Sequence, residues 1–221
     1  MRIGLFGGTF NPIHRGHLWA ASEVKKEFNL DQVSLIPAAL PPHKTPGMVA
    51  DADDRLEMIH IAIADLPGIT VSAVELDRPG PSYTIDTVRH FKKMLAADSQ
   101  IFLMMGLDAF LEIDTWKSYI ELLKQIAFIV MARPNADYPD ADQGWKILVD
   151  YLNSTLSADY KFLDGRGCYI SEGRQPIFTI DIDAMDISST KIRECIKTKK
   201  TVENLVPLEV ADFIQSKGLY T

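Results

Sequence analysis

A doubly wound α/β fold with a parallel sheet is predicted by three features of the 221-residue sequence. Short apolar runs alternate with stretches whose apolar residues recur every three or four positions, the pattern of strands alternating with helices. One run, Ile101-Phe102-Leu103-Met104-Met105, is apolar throughout, as in a strand covered on both faces. The chain also begins with Ile3-Gly4-Leu5-Phe6, then Gly7-Gly8, then Leu18, Ala21, Val24 and Phe28 at helical spacing, which reads as strand, glycine turn and helix N-terminus.

That opening carries the stretch Gly7-Gly8-Thr9-Phe10-Asn11-Pro12-Ile13-His14-Arg15-Gly16-His17. The first N–H groups of a helix lack intrahelical partners and mark the positive end of its dipole, which makes an anion site. Gly7 and Gly8 let backbone approach a ligand, and Pro12 stiffens the helix entry. His14 and His17, three apart, lean to the same side of a helix and suit a phosphate that gains charge. Competing readings are weaker. No Gly-Lys-Ser/Thr follows the glycines, G-x-G-x-x-G is absent, and no Cys or third His lies at zinc-ligand spacing. Two surface histidines at a helix start are the plain alternative.

Val33-Ser34-Leu35-Ile36 is a second strand, ended by Pro37. The proline-rich loop over 38–48 carries Pro41-Pro42-His43-Lys44; it presents Lys44 to a phosphate or is an ordinary surface loop. A helix over 53–65 places Leu56, Ile59 and Ile63 on its apolar side, with Arg55 reaching an active crevice or pairing with Asp51. A strand over 69–76 precedes Pro81-Ser82-Tyr83-Thr84 and a helix with Val88, Phe91 and Leu95, capped by Ser82 or Thr84. Gly106-Leu107-Asp108 follows the apolar strand at its carboxyl end, where α/β sheets bind ligands; Asp108 there accepts ribose hydroxyls or caps a helix. Trp116, before Lys117, reads as a core residue or packing anchor. A strand over 125–131 leads to Arg133, placed to grip phosphate. Residues 135–175 read as a peripheral insertion, and 177–182 as the last strand. Ile187-Ser188-Ser189-Thr190-Lys191-Ile192-Arg193 then opens a helix, either a second anion site or a capped helix with a solvated arginine. Val206, Val210, Phe213 and Ile214 pattern a closing helix. The division expected is an α/β domain over 1–185 and a small helical C-terminal part over 186–221.

Composition bounds the function. A hydrophobic content of 47% and a charged content of 24% are those of a soluble globular chain. No run of eighteen apolar residues and no leader pattern are seen, so a cytoplasmic protein without membrane contact is expected. A net charge of −7 argues against nucleic acid as a partner. The two cysteines, Cys168 and Cys195, lack metal spacing and read as reduced thiols. Assembly of identical copies (a homo-oligomer) is compatible with the sequence and unspecified by it.

Taken together, GGTFNPIHRGH and, 170 residues beyond His17, ISSTKIR resemble the two signatures of the H-x-G-H nucleotidylyltransferases. PPHK, PSYT and GLD with the downstream Trp116 narrow the resemblance to the bacterial-type nicotinate-mononucleotide adenylyltransferases. The resemblance covers nearly the whole chain outside 135–175 and implies a dinucleotide-binding-like nucleotidylyltransferase fold. It implies adenylyl transfer from ATP to nicotinate mononucleotide, giving nicotinate adenine dinucleotide and pyrophosphate. His14, His17 and Arg193 would be catalytic. Gly7, Gly8, Thr9, Phe10, Gly106, Asp108, Ile187, Ser188, Ser189 and Thr190 would bind ATP. Lys44, Thr84, Trp116, Lys117 and Arg133 would bind the mononucleotide, Thr84 and Lys117 largely through backbone N–H groups. Mg²⁺ would ride mainly on the triphosphate, with no protein metal site. One departure stands out: the family usually has Asp where this chain has Asn11. A pantetheine-phosphate adenylyltransferase-like enzyme and a non-catalytic nucleotide sensor are the other functions to separate from this one.

Overall fold

The computed structural model describes residues 1–39, 49–132, 141–183 and 185–221. Its strands are β1 (Arg2–Gly8), β2 (Gln32–Pro37), β3 (Ile69–Val71), β4 (Gln100–Gly106), β5 (Ala127–Ala132), β6 (Lys161–Leu163), β7 (Cys168–Ile170) and β8 (Ile177–Asp181). Among the described residues they form one sheet in the order β3-β2-β1-β4-β5-β8-β7-β6. The chain adds β2 and β3 on one side of β1 and β4 and β5 on the other, the reversal that defines a doubly wound sheet. β2 runs parallel to β3 with Val33 opposite Ile69, and β4, β5 and β8 run parallel with Phe102 opposite Ala127 and Phe128 opposite Ile177. Parallel neighbours need long crossovers, and the helical stretches of the sequence supply them.

The apolar run read as a central strand is β4, and Phe102, Leu103, Met104 and Met105 are all buried. Each such side chain contributes about 1.5–3 kcal/mol on burial, enough to fix the strand without any periodicity in its sequence. Two differences from expectation concern short elements. The third strand ends at Val71 rather than near residue 76, although the Ser72 N–H still reaches Leu35 O at 2.9 Å. Within 135–175, the described residues form helix α6 (Ala141–Tyr151 in chain order), a π turn and the antiparallel pair β6–β7, which extends the sheet beyond β8. Strands of three residues are too brief to show alternation, so this stretch looked peripheral in sequence.

By its contacts the chain falls into two compact units, Met1–Leu5 with Tyr83–Ala184 and Phe6–Ser82 with Met185–Thr221. The second unit holds α1 (Arg15–Glu27), α2 (Ala52–Ile63), α7 (Ser189–Lys197) and α8 (Leu208–Lys217). Residues 186–221 thus belong with the beginning of the chain: α8 packs on α2, and Lys217 Nζ meets Asp54 Oδ1 at 3.1 Å. The first unit holds α3 (Thr84–Met94), α4 (Leu107–Phe110), α5 (Tyr119–Gln125) and α6. No described helix is long and apolar enough to cross a membrane. Cys168 is buried, Cys195 half-buried, and both are free thiols.

Candidate functional site

In the second unit, β1 ends at Gly8 and the backbone turns into α1 through residues 9–14. His14 is the N-cap, in extended conformation, and His17 is the third helical residue. Their imidazoles cap reciprocally: His17 N–H donates to His14 Nδ1 and His14 N–H donates to His17 Nδ1, each at 3.3 Å. The rings stack with centroids 3.6 Å apart and planes 20° from parallel. An Nδ1 that accepts carries no proton, so the neutral tautomer of each ring is Nε2–H. The sequence spacing therefore builds two oriented N–H donors, the arrangement that stabilises developing phosphate charge. Phe10 supports them from the side, its ring 5.0 Å from that of His17 and edge-on at 76°.

The glycines of this stretch have separate steric reasons. A Cβ on Gly16 would stand 3.2 Å from His14 Nδ1, so a side chain at this position would push the His14 ring by a few tenths of an ångström. A Cβ on Gly8 would press 3.0 Å from the Phe10 ring. Gly7 is exposed and a Cβ there would meet nothing within 4 Å, which leaves its side of the turn open to a ligand.

The ISSTKIR segment closes on this turn. Ser189 Oγ donates to Pro12 O at 2.9 Å, and Arg193 donates through one terminal nitrogen to Asn11 O at 2.8 Å and through the other to Thr190 Oγ1 at 3.2 Å. Ile187 Cβ lies 3.9 Å from where a Gly16 Cβ would be. Ser188 is the N-cap of α7, its Oγ accepting from Lys191 N–H at 3.1 Å. The two motifs, far apart in sequence, are thus neighbours. The plain reading of a capped helix is right for Ser188, whereas the Arg193 guanidinium, on a half-buried residue, donates to the turn.

Arg55 resolves the choice between crevice and Asp51. It is 1% exposed and donates to Ala50 O (3.0 Å), Thr9 O (2.9 Å) and Ala38 O (2.8 Å). Burial lowers its guanidinium from the ordinary value, while Tyr220 and Asp51 act to raise it. Through Ala38 O, Ala50 O and Thr9 O it joins the backbone at 38 and 50 to the glycine turn.

In the first unit, the Gly106 backbone begins α4, and a Cβ there would overlap the Asp108 carboxylate. Asp108 is exposed in the first turn and Gly106 is the N-cap, so Asp108 does not cap this helix. Thr84 opens α3, but its N-cap is Tyr83 with no side-chain cap bond, and Ser82 Oγ instead accepts from Ala39 N–H at 2.9 Å. Neither expected cap is used, because the Ser82 hydroxyl is engaged by the backbone after β2. Trp116 is half-buried and ends the 3₁₀ turn Ile113–Thr115. Lys117 Nζ meets Asp86 Oδ2 at 3.2 Å and lies 4.2 Å over the Tyr83 ring, so Lys117 and the start of α3 are brought together. Arg89 extends that group, pairing with Asp86 at 3.1 Å and Glu121 at 2.6 Å. Lys44 and Arg133, with His43, lie outside the described residues.

Sequence reasoning singled out Arg55 without choosing its partner and missed two supporting residues, Tyr151 and Tyr220. Arg55 had a signal: it precedes Ile59 by four, which puts it on the apolar side of α2. Tyr151, whose Oη donates to Asp114 Oδ1 at 2.6 Å and accepts from Asp114 N–H at 3.2 Å, had none. Tyr220, which donates to Asn11 Oδ1 at 2.8 Å, had none either. Among the described residues no group of three or more His, Cys, Asp or Glu is placed to hold a metal ion.

Comparison with known proteins agrees with these features. The family described as Cytidylyltransferase-like matches residues 5–195. A protein of Desulfatibacillum aliphaticivorans named "Probable nicotinate-nucleotide adenylyltransferase" is 39% identical over 223 residues, covering all of both chains. One of Thermus thermophilus with the same name is 38% identical over 220 residues, again covering all of both. Among solved structures, Plasmodium falciparum nicotinic acid mononucleotide adenylyltransferase complexed with NaAD superposes with a TM-score of 0.73 over 99% of this chain and 97% of that one, at 16% identity, a likeness of fold. With its paired imidazoles, the ISSTKIR clasp and full-length relatives at this identity, the chain belongs to the Cytidylyltransferase-like family and, within it, to the nicotinate-nucleotide adenylyltransferases.

Proposed function

We propose that the chain transfers the adenylyl group of ATP to nicotinate mononucleotide, releasing pyrophosphate and forming nicotinate adenine dinucleotide for NAD synthesis. The observation that carries this reading is the reciprocal pair His14–His17, two stacked imidazoles that each offer an Nε2–H donor at a helix N-terminus. An oxygen of the mononucleotide phosphate attacks the α-phosphorus, the bond from that phosphorus to the bridging oxygen of the β-phosphate breaks, and pyrophosphate departs with the electron pair. The nucleophile is already an anion, so no general base is needed. Catalysis is positioning and charge stabilisation. His14 and His17 hold the α- and β-phosphates, with Gly7, Gly8, Thr9 and Phe10 forming the turn beneath them. Ile187, Ser188, Ser189, Thr190 and Arg193 serve the β/γ side, and Gly106 with Asp108 the ribose. Thr84, Trp116 and Lys117 take the pyridine ring and its carboxylate, while Lys44 and Arg133 take phosphate. Mg²⁺ would arrive as part of the nucleotide substrate, carried mainly by the triphosphate. The reaction is placed in the cytoplasm.

The test is pyrophosphate release with Mg-ATP and, in parallel, nicotinate mononucleotide, nicotinamide mononucleotide or pantetheine phosphate. Turnover mainly with the first is expected. Equal rates with both mononucleotides would remove the carboxylate-reading role of Thr84 and Lys117. Turnover mainly with pantetheine phosphate, or binding of ATP without turnover, would overturn the reading.

A further inference from the structure

Asn11 stands at the centre of a buried hydrogen-bond group that the phosphate-binding reading does not use. It is 1% exposed, and its Oδ1 accepts from Ala50 N–H at 3.0 Å and from Tyr220 Oη at 2.8 Å. Its own carbonyl accepts from Arg193 at 2.8 Å, and the Thr9 carbonyl two residues earlier accepts from Arg55 at 2.9 Å. Four segments distant in sequence therefore converge on one turn: residues 9–12, 50–55, Arg193 and Tyr220.

Two conformational features show that this convergence is held against resistance. Phe10, beside Asn11, has φ +47° and Tyr220 has φ +65°. Both are bulky residues in the left-handed region, which side chains with a Cβ avoid unless the surroundings fix them. The compensation at Tyr220 is the hydroxyl's bond to Asn11, made beside the charges of Arg193 and Arg55. Burial raises the Tyr220 hydroxyl above its ordinary range, so it remains a donor at any working pH.

We propose that Tyr220 is a positioning residue for adenylyl transfer, its hydroxyl on Asn11 Oδ1 fixing the turn that sets His14 and receives Arg193. The proposal rests on the reading above that this turn serves the ATP phosphates. It also explains the departure at position 11. Both bonds to that side chain use a single oxygen as acceptor, and an amide supplies one as a carboxylate would.

Tyr220→Phe removes the hydroxyl and keeps the ring. One buried neutral hydrogen bond corresponds to roughly a fivefold to tenfold factor. The expected result is a loss of that size in kcat/KM for ATP, with KM for nicotinate mononucleotide within about twofold of the parent. Asn11→Leu loses at least as much, Asn11→Asp loses less than Asn11→Leu, and adding Tyr220→Phe to Asn11→Leu loses little more, because the two groups act as one pair. Unchanged kcat/KM for ATP in Tyr220→Phe overturns the proposal. So does a fall in kcat that matches a lowered folded fraction while both KM values stay fixed, since that is a structural role alone. If the parent chain turns over no mononucleotide, the function reading fails on its own. The positioning proposal is then decided by calorimetry with α,β-methylene-ATP, whose Kd rises about fivefold or more in Tyr220→Phe if the proposal holds and is unchanged if it does not.

Discussion

Replacing Gly16 by Ala separates catalysis from stability at a single atom. The added Cβ falls 3.2 Å from His14 Nδ1 and 3.3 Å from its Cε1, so the ring must give by a few tenths of an ångström. It has little room to do so, being 3% exposed and stacked at 3.6 Å on His17. A misplacement of about 1 Å in a reacting geometry costs about a hundredfold, so about a third of that distance costs about fivefold. If the cap bond from His17 N–H also fails, folding stability falls by about 1 kcal/mol. Stability moves the other way in part, because Ala in place of a helical Gly gains about 0.5–1 kcal/mol, which offsets the lost cap. The expected variant has kcat lowered about fivefold and a Tm within about 3 °C of the parent. Steady-state pyrophosphate release and a thermal melt read both quantities. A variant with parental kcat would refute the argument that the Gly16 Cα position sets the imidazole pair, and a melt lowered by about 10 °C would show that the offset was misjudged.

Arg55→Met leaves three carbonyl acceptors without their donor, and a cost of about 3–5 kcal/mol is expected in denaturant unfolding, far above that of an exposed arginine. Tyr151→Phe removes both bonds to Asp114, the middle residue of the turn that ends at Trp116; KM for nicotinate mononucleotide is expected to rise about threefold to tenfold while KM for ATP stays fixed. Burial raises the Cys168 thiol while nearby Arg166 lowers it less, so the thiolate is scarce near pH 8, and a thiol reagent is expected to label Cys195 first and Cys168 only as the protein unfolds; equal rates in the native protein would contradict this.

Elements that announce themselves by a single local rule were legible in the sequence. β4 declared itself by an unbroken apolar run, and the strand–glycine–helix opening by its change of period from run to helical spacing. The motif chemistry was also local: His14 and His17 are three residues apart, so their meeting needs only a helix start. What stayed hidden depends on partners chosen by the fold. Ser82 looks like a cap until the backbone after β2 takes its hydroxyl. The strands at 161–163 and 168–170 are too short to carry a period and form because a neighbour offers an edge. Asn11 could be seen as a departure, yet its use of one acceptor oxygen follows only from where Tyr220 and Ala50 come to lie.

The bond from Tyr220 to Asn11 also sets a clock for the cell. The two residues are separated by 209 positions, so the histidine turn is synthesised long before the group that pins it. At a synthesis rate of about 5–20 residues per second, the turn waits roughly 10–40 s for its last hydrogen bond. During that interval His14 and His17 have been made, but Arg193 and Tyr220, which hold their turn, have not. Full competence to handle nucleotide would then wait until residue 220 is made, and fragments ending before it would compete poorly for ATP.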